Sequence, residues 1–170
     1  MSGGDGFSCE EERSNLFGER QGQFMSAAPF VVTPADYAKG LSVVGEEIVV
    51  LASGHRTGGY EVFLQRGPGG VGPPPHSHDW DETFVVTKGD VLFGVGEHES
   101  VATPGTLVHV PAGQTHWFRL GDGGAEMISM TSRLGASEFF TEVDREVAPG
   151  PPDLAVLGQV ADRHKIRFGG

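Results

Sequence analysis

Two glycine-punctuated frames set the strongest limit on what this chain can become. The first runs Gly70, five residues, His76-Ser77-His78, three residues, Glu82, six residues, Gly89. The second runs Gly105, five residues, Pro111-Ala112-Gly113, two residues, His116. His76 and His78 are two apart, so a strand presents both on one face. Three imidazoles and a carboxylate suit one divalent first-row metal: iron, manganese, nickel, copper or zinc.

The residues between and around the frames read as short strands. Residues 83–87 are β-branched and aromatic, as strands are. Lys88-Gly89-Asp90 reads as a hairpin turn, with residues 91–95 as the partner strand. Residues 106–110 form a further strand, ended by Pro111-Ala112-Gly113, and His116 opens the returning strand with Trp117 and Phe118. Strands are also expected over 30–32, 47–51, 60–65 and 125–131. Thr33-Pro34 starts a helical turn with proline in the first position. The proline-rich loop 67–75 leads directly into His76 and limits the chain entropy lost when that ligand is fixed. Helices are expected over 136–147 and 154–164, separated by the break at 149–152. Asp153 caps the second, and Leu154, Leu157, Val160 and in part Val156 form its apolar stripe.

At this point the chain resembles the cupin superfamily. The first frame matches the family motif at every defined position. The second matches through His116 and departs at Leu120, where the family often has asparagine. That position is not a metal ligand in the family pattern. The resemblance implies an all-β fold, the cupin double-stranded β-helix or jelly-roll barrel, here with short C-terminal helices. It also implies that His76, His78, Glu82 and His116 are the metal ligands. Residues 1–24, rich in Gly, Glu and Ser, read as a flexible leader, with Met25 a natural start. Residues 25–170 then form a single cupin domain, its barrel spanning about 30–140 and its helical tail about 136–166.

Composition narrows the partners. The net charge is -11, which argues against nucleic acid and anionic membranes, since both call for clustered Lys and Arg. No run of about 18 apolar residues marks a membrane span. The N-terminus has no basic region followed by an apolar core, so a cytoplasmic location is expected. The single cysteine, Cys9, rules out an intramolecular disulfide.

A softer likeness, to small bacterial quercetinase-like cupins, rests on the order of motifs, Glu138-Phe139-Phe140, a proline-rich break and a terminal helix. It implies a dioxygenase in which a flavonol or other enolisable aromatic molecule meets the metal and dioxygen. The residue in the place of Glu82 is then both ligand and catalytic base. The alternatives are a metal-dependent cupin that uses no dioxygen (an isomerase, decarboxylase, cyclase or lyase) and a cupin that only binds a ligand. Candidates for the pocket wall are Phe63, Gln65, Trp80, Phe84, Trp117 and Phe118. Arg66 and Arg119 read as isolated, so no basic pair is expected to grip a phosphate. A homodimer is expected from the family habit of pairing through an outer sheet.

Overall fold

Alternation of inward apolar and outward polar side chains builds two antiparallel sheets in the computed structural model, which describes residues 28–148 and 152–169. Six strands form the first sheet: β1 (Leu41–Val43), β2 (Glu46–Ala52), β3 (Tyr60–Gly67), β10 (Ala125–Ser132), β5 (Glu82–Lys88) and β8 (Leu107–Val110), in that spatial order. The second sheet holds β11 (Arg167–Phe168), β4 (His76–Ser77), β9 (His116–Leu120), β6 (Val91–Val95) and β7 (His98–Ala102). From β3 onward the chain passes repeatedly between the sheets, with β3, β5, β8 and β10 in the first and β4, β6, β7 and β9 in the second, the arrangement of a jelly-roll barrel. The all-β expectation holds.

Two sequence expectations are corrected by this topology. Lys88-Gly89-Asp90 is not a hairpin: β5 pairs with β10 and β8, whereas β6 pairs with β7 and β9. The turn instead carries the chain from one sheet to the other. Gly89 is needed there, since its φ is +68° and a Cβ would stand 2.2 Å from the Gly124 carbonyl oxygen. Likewise β9 does not return alongside β8; it pairs with β4 and β6. Residues 30–32 form no strand and are largely exposed, although the turn after them is present. It is a 3-10 turn, Pro34–Asp36, closed by Thr33 N–H donating to Asp36 Oδ2 at 2.9 Å. β1, β7 and β11 were not foreseen. The leader, Cys9 and part of the 149–152 break lie outside the described residues.

The interior divides in two. Phe84, Val86, Phe93, Phe118, Leu120 and Met127 fill one end of the barrel, with the Phe84, Phe93 and Phe118 rings 5.1 to 5.7 Å apart. The other end is closed by the tail. Beyond the short α1 (Gly54–Thr57) between β2 and β3, the helices α2 (Ala136–Glu146) and α3 (Leu154–Arg163) lay Phe139, Val143, Leu157 and Val160 against Val43, Ile48, Phe63 and Trp80. Leu154 leaves the expected stripe, at 73% exposed, because it opens the helix where Asp153 caps it. A buried carboxylate fastens α2 to the barrel: Glu61 accepts from Ser137 N–H at 3.0 Å and from Gly54 N–H at 3.1 Å. It thereby satisfies a helix N-terminus whose own N-cap, Gly135, supplies no side chain. Asp144 returns the tie from the helix, accepting from Ser42 N–H at 2.7 Å.

Candidate metal centre

The site begins with a loop held from the far side of the sheet. The Arg119 guanidinium donates to the carbonyls of Gly72 and Pro73 at 2.6 and 3.1 Å, so this arginine is committed rather than isolated. Arg66 is committed too, to Glu47 at 2.8 Å. The fixed loop delivers His76 onto β4, where it pairs with His116 of β9 on one side and Phe168 of β11 on the other. The second frame is tied to the first by its turn: Gly113 N–H donates to the His78 carbonyl at 2.7 Å and Ala112 N–H to Asp81 at 3.0 Å. Gly113 takes φ +80°, which that turn requires.

Each of the three imidazoles is oriented in the same way. Nδ1–H of His76 donates to the Pro74 carbonyl at 2.9 Å, that of His78 to Trp80 at 2.9 Å, and that of His116 to Gln114 at 3.0 Å. A carbonyl oxygen only accepts, so the neutral ring carries its proton on Nδ1 and leaves the Nε2 lone pair free. One ligand atom from each of the three histidines lies within 4.8 Å of the others. Glu82, at the start of β5, points its Oε2 at the same place, 3.1 Å from His78 Nε2 and 3.4 Å from His116 Nε2. Trp80 stacks on His78 with ring centroids 4.3 Å apart and planes 10° apart, fixing that ring.

These groups are acceptors with no donor between them. His116 Nε2 is buried and lacks a hydrogen-bond partner; its approach to Glu82 is close but poorly aligned. Burial pushes the Glu82 carboxyl up, whereas a proton on Nε2 of His116 or His78 would hydrogen-bond to it and hold it down at about 2. Burial, with His116 beside it, pulls His76 down to about 4, so it is neutral at physiological pH. Three imidazole nitrogens and a carboxylate converging on one point are the donor set of a divalent cation.

The cluster opens onto a cavity of about 70 Å³, room for a handful of water-sized groups. His76, His78, Glu82, Trp80, Gln65 and Glu46 line its polar side, and Phe139, Phe140, Leu157, Ile166 and Phe168 cap it from the tail. Of the expected wall residues, only Gln65 and Trp80 line this cavity. Phe84 and Phe118 are in the far core, Phe63 packs edge-on against Phe140 at 5.1 Å, and Trp117 covers Gly94. Glu46 was missed. Its signal was present, because it shares strand parity with Ile48 and Val50.

A family model described as Cupin domain matches residues 62–131, which run from β3 into β10 and contain all four clustered side chains. Over that stretch, less than half of the chain, the sequence is similar to a cupin domain. KdgF from Halomonas sp. superposes with a TM-score of 0.59 at 14% identity, over 65% of this chain and 99% of that one. An RmlC-like cupin from Shewanella frigidimarina gives 0.58 at 15%, over 65% and 96%. A protein described as a predicted oxalate decarboxylase from Thermotoga maritima gives 0.56 at 16%, over 62% and 100%. Identities this low speak for the fold alone. No curated protein matches the chain. Among the described residues no helix is long and apolar enough to cross a membrane.

Proposed function

We propose, with the similarity to a cupin domain over residues 62–131 as the premise, that this protein is a mononuclear metal-dependent enzyme acting on a small, enolisable, oxygen-bearing molecule. His76, His78, Glu82 and His116 hold the cation. One observation carries this reading: three Nε2 lone pairs and a carboxylate oxygen face each other with no hydrogen-bond donor to relieve them. Four protein ligands leave positions open on a five- or six-coordinate ion, which marks a catalytic rather than a structural site.

When bound, the cation supplies Lewis acidity toward a substrate oxygen, and a redox-active one also supplies electrons. The chain's own residues do the rest. The Nδ1–H bonds to Pro74, Trp80 and Gln114 lock the three rings in the ligating tautomer. Phe139, Phe140, Leu157 and Ile166 keep bulk water off the cavity. Glu82 points Oε2 at the same place as the Nε2 atoms of His78 and His116, which supports its role as a ligand; Glu82→Gln tests its role as catalytic base.

Two chemistries fit, each favoured by one feature. The apolar cap suits a dioxygenase, in which dioxygen is the second substrate and reactive species must be kept from water. The narrow cavity suits a non-oxidative isomerase, decarboxylase, cyclase or lyase, which needs room for one small substrate rather than a substrate and dioxygen together. Elemental analysis of untagged protein comes first. Stoichiometric iron, manganese, nickel or copper, followed by oxygen uptake with small enediols and hydroxy-enones, supports the dioxygenase. Turnover without oxygen uptake supports the second chemistry. No metal after anaerobic reconstitution overturns both.

A further inference from the structure

Two buried oxygens on the wall of the cavity have no partner. Glu46 and Gln65 are 6% and 3% exposed, and neither Glu46 Oε2 nor Gln65 Oε1 meets a hydrogen-bond donor. Both residues line the cavity that holds His76, His78 and Glu82. The register sets them side by side: Gln65 of β3 lies opposite Ile48 of β2, so Glu46 is its diagonal neighbour on the inner face. Buried polar atoms are almost always paired, and an unpaired one calls for a reason. Packing is not that reason, because an apolar side chain would fill the same space at less cost. The nearest cation does not supply it either, since Arg119 Nη1 is spent on the Gly72, Pro73 and Phe118 carbonyls.

The backbone beside Glu46 is strained as well. β1 and β2 are joined by Val44-Gly45, with φ of 50° and 92°. A β-branched residue is poorly suited to the left-handed region, where Asn or Gly is at ease. Val44 also lines the cavity. Strain of this kind persists where a site needs the geometry it enforces.

We propose that Glu46 and Gln65 form a hydroxyl-recognising wall, and that the substrate is a small molecule carrying a hydroxyl group a few bonds from the oxygen facing the histidine cluster. This assignment rests on the metal reading above. The Gln65 carboxamide oxygen accepts, and a carboxyl accepts or, when protonated, donates; a ligand hydroxyl does both and so serves either oxygen. The cavity admits only a few heavy atoms, which keeps that donor close to the cluster-bound end.

The test uses the whole protein loaded with Co(II), whose visible spectrum reports binding. It is titrated with 3-hydroxypropionate against propionate, and with 4-hydroxybutyrate against butyrate. In 4-hydroxybutyrate a chelate ring would have seven members, so direct chelation contributes little to that pair, and a preference due to chelation in 3-hydroxypropionate would survive the wall variants. At least one hydroxy acid is expected to bind about tenfold or more tightly than its deoxy partner. In Glu46→Met and Gln65→Met that preference is expected to shrink to about twofold or less, with Co(II) affinity kept within about fivefold. The metal-free variants should melt no lower than the parent, because each loses an unpaired buried oxygen. A preference that is absent, or that survives both variants, overturns the proposal. So does a clear fall in melting temperature, which would make the pair structural. Failure to bind Co(II) at all overturns the metal reading and this assignment with it.

Discussion

His78 Nε2 and Glu82 Oε2 face each other across 3.1 Å, while the opposite nitrogen of His78 donates to the Trp80 carbonyl at 2.9 Å. The ring therefore spends its proton on the backbone and turns a lone pair toward a carboxylate. Without a cation, that contact is relieved only by a proton placed between the two atoms.

Adding a divalent cation should stabilise the protein and fill this gap. With Co(II) at about 100 times its dissociation constant, the gain is about 2.7 kcal/mol. For a chain of this size that corresponds to a rise in Tm of roughly 5–10 °C. In His116→Ala, which removes a fully buried nitrogen, the rise should vanish in differential scanning fluorimetry. A full-sized rise in that variant would place the cation elsewhere.

Arg119 acts on the site from a distance. Its guanidinium holds the carbonyls of Gly72 and Pro73, four and three residues before His76. Arg119→Met keeps much of the bulk and loses the grip. Co(II) affinity should fall about tenfold or more, as for other groups that position ligands. Calorimetric titration gives the number, and an unchanged affinity would show that the proline-rich loop holds itself.

Glu46 makes metal-free stability depend on pH in an unusual direction. Burial, with Glu82 nearby, pushes its carboxyl up to about 8 from an ordinary 4.5. The folded form therefore binds more protons than the unfolded form between those values, and stability drains away as pH rises from 4.5 through 8. His76, held at about 4 against an ordinary 6.5, works the other way, losing stability as pH falls from 6.5 toward 4. Glu46→Gln removes the first effect alone. Its stability relative to the parent should grow by a few kcal/mol, in order of magnitude, between pH 5 and 8. Urea melts of metal-free protein at several pH values measure this; parallel curves for the two proteins would refute it.

Glu61 is the joint between barrel and tail. Glu61→Leu leaves the N–H groups of Ser137 and Gly54 unpaired in a buried setting. The expected loss is about 2–4 kcal/mol in urea unfolding, with retained Co(II) binding, since Glu61 is absent from the cavity wall. Loss of the metal together with stability would mean that α2 is needed to form the cluster.

Much of this was readable in the chain because the informative residues are local. His76, His78 and Glu82 sit within seven positions, and the Pro-Ala-Gly turn announces His116. β2, β3, β5 and β10 carry enough β-branched and aromatic residues to declare themselves. What escaped depends on distant partners. β11 is two residues long and exists only because Arg167 and Phe168 find Ser77 and His76. β7 is mostly exposed and shows no apolar alternation. The sheet switch at Gly89 resembles a hairpin until the Gly124 carbonyl is seen against it. Local sequence also does not tell Phe63, packed on Phe140, from a residue facing the cavity.

The two-residue strand β4 has a temporal consequence. His76 is the middle of a rung whose outer member, Phe168, is 40% exposed. Such a short ladder opens far more often than the barrel unfolds. The lifetime of a cation in this site would then be set by the unzipping of Arg167 and Phe168, so the protein could exchange its metal within the folded state and remain responsive to whichever ion its surroundings supply.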